Sequence, residues 1–188
     1  HEGGGNMDKS MVIKWFQDVL NTEATKIFHN AMYDVCFIRA AGLKINGMIV
    51  DTMIAGSLVD ENRFRYDLGS MGRDYLGIGK NEAVLKETAD LWGVDAKSEM
   101  YKLPAMYVGE YAEQDAELTL KLWQEMKKQM YHEDVEDIFK LETELFPCLV
   151  DMRFLGVRVD TEAAYQLKQQ LLTEEKECLQ KVKKETSI

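Results

Sequence analysis

Two pairs of residues in this 188-residue chain have types and a spacing that chemistry could use. Asn30 and Asp34 stand four apart, and so do Tyr111 and Asp115; on a helix that interval puts both side chains on one face. Carboxylates held this way are oxygen ligands of the kind hard divalent cations take, and an enzyme that cuts phosphodiesters with two such cations must concentrate them. Either pair alone is weak. A lone Asp on a helix is most often a solvated surface carboxylate, and a lone Tyr most often an edge residue of an apolar face.

The surrounding elements give the first pair a place. Lys26, Ile27, Phe28 and His29 read as a short strand, followed by a helical stretch with Val35, Phe37, Ile38, Ala40 and Ala41 that Gly42 ends. The unit repeats with Met48, Ile49 and Val50 as a second strand and Asp51-Thr52 capping a helix from about Met53 to Val59. Alternation of this kind predicts a parallel α/β sheet, with Asn30 and Asp34 at the carboxyl end of a strand, where open sheets bind ligands. A first amphipathic helix with Met7, Met11, Val12, Trp15, Phe16, Val19 and Leu20 is expected behind Asn6 as its N-cap. From Asp67 on the pattern is almost wholly helical, with a long helix from about Tyr107 to Met130. Another follows from Asp134 to Leu155, where Pro147 is expected to bend it and Gly156 to stop it. A last helix, rich in Glu, Lys and Gln, is capped by Asp160.

Composition narrows the classes. Hydrophobic residues at 46% and charged residues at 30% are those of a globular protein, not of a disordered or collagen-like one. No apolar run approaches ~18 residues, so no spanning helix is expected, and the chain reads as a soluble, cytoplasmic protein without a membrane partner. The net charge of -10 argues against gripping duplex DNA through a broad basic face, yet leaves open a site that meets nucleic acid through metal ions. Cys36, Cys148 and Cys178 are odd in number and have no metal-ligand spacing, so reduced structural thiols are expected. A zincin lacks its second His, and a P-loop is absent.

In order and spacing, three strings together resemble a known family. They are His29-Asn30-Ala31-Met32-Tyr33-Asp34, then Asp51-Thr52-Met53, then the run from Tyr111 and Asp115 to Leu120. They resemble the 3′ to 5′ proofreading exonuclease domain of family A, bacterial polymerase I-like, DNA polymerases, particularly the phage enzymes. His-Asn-x-x-x-Asp is similar to the second exonuclease motif and Tyr-x-x-x-Asp to the third in its tyrosine variant. Further on, Glu142, Leu145, Pro147, Leu149, Met152, Gly156, Val157, Val159 and Asp160 resemble the segment that opens the polymerase region, so the likeness covers nearly the whole chain.

The resemblance implies an α/β, ribonuclease H-like exonuclease fold lacking its N-terminal strands over residues 1–131, and the helical start of a polymerase domain over residues 132–188. It implies two divalent cations, Mg²⁺ or Mn²⁺, and hydrolysis of the terminal phosphodiester of a single-stranded or frayed DNA 3′ end. Asp115 would ligate the more tightly bound metal, Asp34 would serve the second, Tyr111 would stay protonated and orient the attacking water, and Asn30 would contact the substrate strand. A wedge beside the terminal base would come from Met100 or Tyr101. The family's first motif, Asp-x-Glu, belongs upstream of Gly3-Gly4-Gly5, so the chain is expected to be part of a longer protein and nearly inactive by itself. Two other readings stand beside this one: a non-catalytic exonuclease-like scaffold of a polymerase, and an acidic, Met-rich helical interaction module.

Overall fold

The computed structural model describes residues 6–186; the opening loop expected over residues 1–5 lies outside the described residues. Helix α1, Lys9–Leu20, leads into strand β1, Lys26–Phe28, helix α2, Ala31–Ala40, and strand β2, Ile49–Asp51. The strands pair in parallel, with Lys26 opposite Ile49, Ile27 opposite Val50 and Phe28 opposite Asp51. This small open sheet with its helical crossover is the α/β unit expected of a ribonuclease H-like exonuclease core, and a mostly helical region follows it. Those helices are α3, Thr52–Val59, α4, Leu68–Leu76, α5, Ala83–Trp92, α6, Ala105–His132, α7, Glu136–Leu155, and α8, Thr161–Thr186, with a 3₁₀ turn at Met100–Lys102.

The long helix α6 organises the core. Leu118, Leu122, Met126 and Met130 recur every four residues, are all buried, and form one stripe that packs on Val50, Ala55, Leu68, Met71 and Phe139. Helix α4 reaches this stripe closely because Gly72 has no side chain: a Cβ there would lie 2.9 Å from the Ile78 carbonyl oxygen and 3.0 Å from a Leu118 methyl. A second cluster joins Ala31 and Val35 of α2 to Phe146 and Val150 of α7, and a third gathers Leu85, Ala89 and Leu103, with Met100, Val108 and Tyr111 packed against it. These packings hold the two halves of the candidate site, α2 and α6, on fixed supports.

Two local expectations are corrected. Asp8, not Asn6, caps α1, its carboxylate accepting from the Met11 N–H at 3.1 Å. Asn6 instead accepts from the Ala105 N–H at 3.0 Å, at the start of α6, so its capping chemistry serves a helix 99 residues away. The apolar stripe of α1 forms as the periodicity predicts, but Met11, Val12, Trp15 and Val19 are exposed and Leu20 alone is buried. Helix α7 continues through Pro147.

Chain contacts define two compact units, one ending at Asp151 and one beginning at Met152. The second consists of the end of α7 and of α8, whose start Asp160 caps by accepting from the Ala163 N–H at 2.9 Å. Among the described residues no helix is long and apolar enough to cross a membrane, and Cys36, Cys148 and Cys178 are all free thiols.

Candidate active site

Strand β1 ends at Phe28, and the chain must turn sharply to enter α2. Asn30 makes that turn in the left-handed region, φ 64° and ψ 52°, which Asn tolerates better than other residues with a side chain. Asn30 therefore stands before the helix and not on it, which corrects the expected four-residue helical pair with Asp34. What fixes the turn is Asp51, buried at the end of β2. Its carboxylate accepts from the N–H groups of Asn30 at 2.9 Å, Ala31 at 2.7 Å and Met53 at 2.8 Å, so one side chain ties the start of α2 to the start of α3. Thr52, fully buried, adds a bond from its hydroxyl to the Phe28 carbonyl at 3.1 Å and sits 2.9 Å from His29 Nδ1.

The turn and α6 face one cavity of about 640 Å³. His29, Asn30, Asp34, Asp67, Lys80 and Asp115 are among its lining residues. Asn30 and Asp34 thus line one cavity with Asp115, which comes from a distant part of the chain. Tyr111 joins through Lys80, whose ammonium donates to the Tyr111 hydroxyl at 3.0 Å and to Asp115 Oδ2 at 2.7 Å. Of the two wedge candidates, Met100 packs against the Leu85 cluster while Tyr101 is exposed.

Burial raises the Asp34 carboxyl above its ordinary value, and the charge of Asp51 adds to the effect. Asp115 Oδ1 is buried with no hydrogen-bond partner, an orphaned carboxylate oxygen. Burial pulls the Lys80 ammonium down, but its bonds to Asp115 and Tyr111 outweigh that and leave it raised. Tyr111 is pushed up by burial, against the pull of Lys80, so its phenol keeps its proton at neutral pH. An all-oxygen donor set with one unsatisfied oxygen suits a hard divalent ion. Among the described residues, however, no three His, Cys, Asp or Glu side chains come together as a metal-holding group.

His29 gives a testable pH dependence. Burial lowers its pKa, against the opposite pull of Asp51, so the folded chain disfavours the imidazolium while the unfolded chain takes up a proton near pH ~6.5. Stability contributed in this way is present above that pH and lost below it. The thermal midpoint should fall between about pH 7 and about pH 5, and the fall should be smaller in His29→Gln; equal falls in both chains would remove His29 as the cause.

Sequence reading missed Asp51 as a clamp, Asp67 as a wall of the cavity and Lys80 altogether. Asp67 carries a visible signal, since it caps α4 by accepting from the Ser70 N–H at 3.0 Å and hydroxyl at 2.7 Å. Lys80 follows Gly77-Ile78-Gly79 in a loop, where no periodicity points anywhere.

Comparison with known proteins places this geometry in context. The sequence model of the DNA polymerase A exonuclease family, described as a 3′-5′ exonuclease, matches residues 5–131. A DNA-directed DNA polymerase of Pseudomonas phage M6 is 31% identical over 97% of this chain and 28% of its own length. The DNA polymerase DpoZ of Salmonella phage PMBT28 is 28% identical over 81% of the chain and 25% of its own length, and DNA polymerase I of Chloroflexus aurantiacus is 29% identical over 76% and 15%. The chain therefore spans about a quarter of the length of the phage relatives it matches.

Proposed function

Because this chain belongs to the 3′-5′ exonuclease family of A-type DNA polymerases, we propose that its cavity takes the 3′ end of a single DNA strand and removes the terminal nucleotide by hydrolysis, as the proofreading part of a longer polymerase. The observation that carries the reading is the meeting of Asn30, Asp34 and Asp115 at one cavity, with Tyr111 tied to Asp115 through Lys80. Residues 132–188 would begin the polymerase region; the family match ending at residue 131, with the Pseudomonas phage polymerase similar over almost the entire chain, supports that division.

Divalent cations, Mg²⁺ or Mn²⁺, when bound would neutralise the scissile phosphate and lower the pKa of the attacking water. Asp115 would hold one through its free Oδ1, and Asp34, whose burial makes it receptive to positive charge, would serve the other. Tyr111 keeps its proton and so acts as a hydrogen-bond donor that orients water, not as a base. Asn30, held by Asp51 in its left-handed turn, presents its amide to the substrate strand. Since no three metal-ligating side chains come together among the described residues, the 188-residue chain alone should digest DNA slowly.

The test is Tyr111→Phe in the longer polymerase. It keeps the ring and its packing and removes the donor, and should lower 3′ to 5′ digestion about 100-fold with nucleotide incorporation unchanged. Digestion at the parent rate would refute the role of the phenol. A non-catalytic scaffold, the second reading, draws on the Lys80 ammonium that already satisfies one oxygen of Asp115, and predicts no digestion in the parent either.

A further inference from the structure

Lys80 belongs to none of the strings that resemble the exonuclease motifs, yet it is the group on which two of the candidate site residues converge. Its position is built, not incidental. The loop that carries it is fastened to α6 by the Asn81 N–H, which donates to Gln114 Oε1 at 3.0 Å. Its aliphatic stem lies over Gly69 of α4, where a Cβ would come within 3.3 Å of Lys80 Cδ and 3.5 Å of Cγ, so the absence of a side chain at Gly69 opens the stem's path. Its head lies 2.7 Å from Asp115 Oδ2, 3.0 Å from the Tyr111 hydroxyl and 4.9 Å from the Tyr111 ring centre.

That ammonium therefore sits where positive charge is wanted: beside the half-buried carboxylate of Asp115, which lines the same cavity as Asp34, and beside an oxygen whose twin has no partner. A charge and a hydrogen-bond donor placed there hold the Asp115 carboxylate at a fixed distance from the phenol.

We propose that Lys80 is a positioning residue that braces Asp115 against Tyr111, and that a divalent ion binding at Asp115 must compete with it. The proposal rests on the reading of Asp115 as a cation ligand. Lys80 keeps the acid and the phenol at working distance before metal arrives, and the same ammonium weakens metal binding by like-charge repulsion and by occupying Oδ2. A residue that merely packed the loop would have the first effect without the second.

The experiment is a Mn²⁺ titration of the 188-residue chain, followed by paramagnetic broadening of amide signals in α6. Lys80→Gln keeps a hydrogen-bond donor and removes the charge; it should bind Mn²⁺ about tenfold more tightly than the parent chain. Lys80→Arg keeps the charge and should bind like the parent, and Asp115→Asn should lose broadening around residue 115. If Lys80→Gln binds Mn²⁺ no more tightly while Asp115→Asn loses it, the inference about Lys80 is overturned and the reading of Asp115 survives. If Asp115→Asn binds Mn²⁺ undiminished, the cation reading falls and Lys80 with it. Should Lys80→Gln fail to fold, Lys80→Met gives the same readout with the stem contact over Gly69 retained, and unchanged affinity there counts equally against the proposal.

Discussion

In a polymerase carrying this chain, Asp115→Ala should abolish 3′ to 5′ digestion, by about a thousandfold or more, while nucleotide incorporation changes little. Three effects combine. The substitution removes the unpartnered oxygen that would hold a cation, deprives Lys80 of its anionic partner, and leaves an ammonium in a partly buried place with the Tyr111 hydroxyl for company. Asp115 lies in the third turn of α6 with its side chain at the cavity, whereas the packing stripe of that helix begins at Leu118, so the core contacts stay in place. Loss of digestion should therefore come without loss of fold. The measurement is release of the 3′-terminal nucleotide from a labelled single strand beside primer extension by the same preparation. A parent-like digestion rate would refute Asp115 as a ligand, and equal losses in both assays would point to a folding defect.

Asp51→Ala should act on stability instead, lowering it by about 4 kcal/mol. The buried carboxylate accepts three backbone N–H groups, and each is left without an acceptor when it goes. Hydrogen bonds to a charged group are worth about 1.5–3 kcal/mol apiece, and some of that loss will be recovered by water entering the space. Because the same three bonds set the left-handed turn at Asn30 and the start of α2, residual folded protein should also handle substrate poorly. Denaturant unfolding checks the first part; a loss under about 1 kcal/mol, the worth of an ordinary helix cap, would mean that the clamp contributes little beyond capping α3.

The strand, helix, strand unit was legible because its signals are local: short apolar runs, Gly42 after the α2 stripe, Asp51 before α3. The long helix expected from about Tyr107 to Met130 was legible as well and is α6, Ala105–His132, whereas its packing stripe of Leu118, Leu122 and Met126 emerges only in the fold. What escaped was every group whose partner is distant. Asn6 and Asp8 are both good caps two residues apart, and what separates them is that Asn6 is taken by Ala105. Asn30 and Asp34 have a helical interval, but the chain must first reverse out of β1, and that requirement moves Asn30 off the helix. Lys80 is one of many lysines until Gly69 and α6 are brought together around it.

The parallel strand pair has a bearing on how the protein is made. Its two strands and the helix between them fall within residues 26–51, so the turn at Asn30 and the helix bearing Asp34 can form soon after that short stretch leaves the ribosome. Asp115 arrives some sixty residues later, on a helix whose Leu118, Leu122 and Met126 cover Val50 and Ala55. A nascent chain paused between these points would expose that apolar surface and hold only one of the two acids, and translation must pass the α6 stripe before the second can join it.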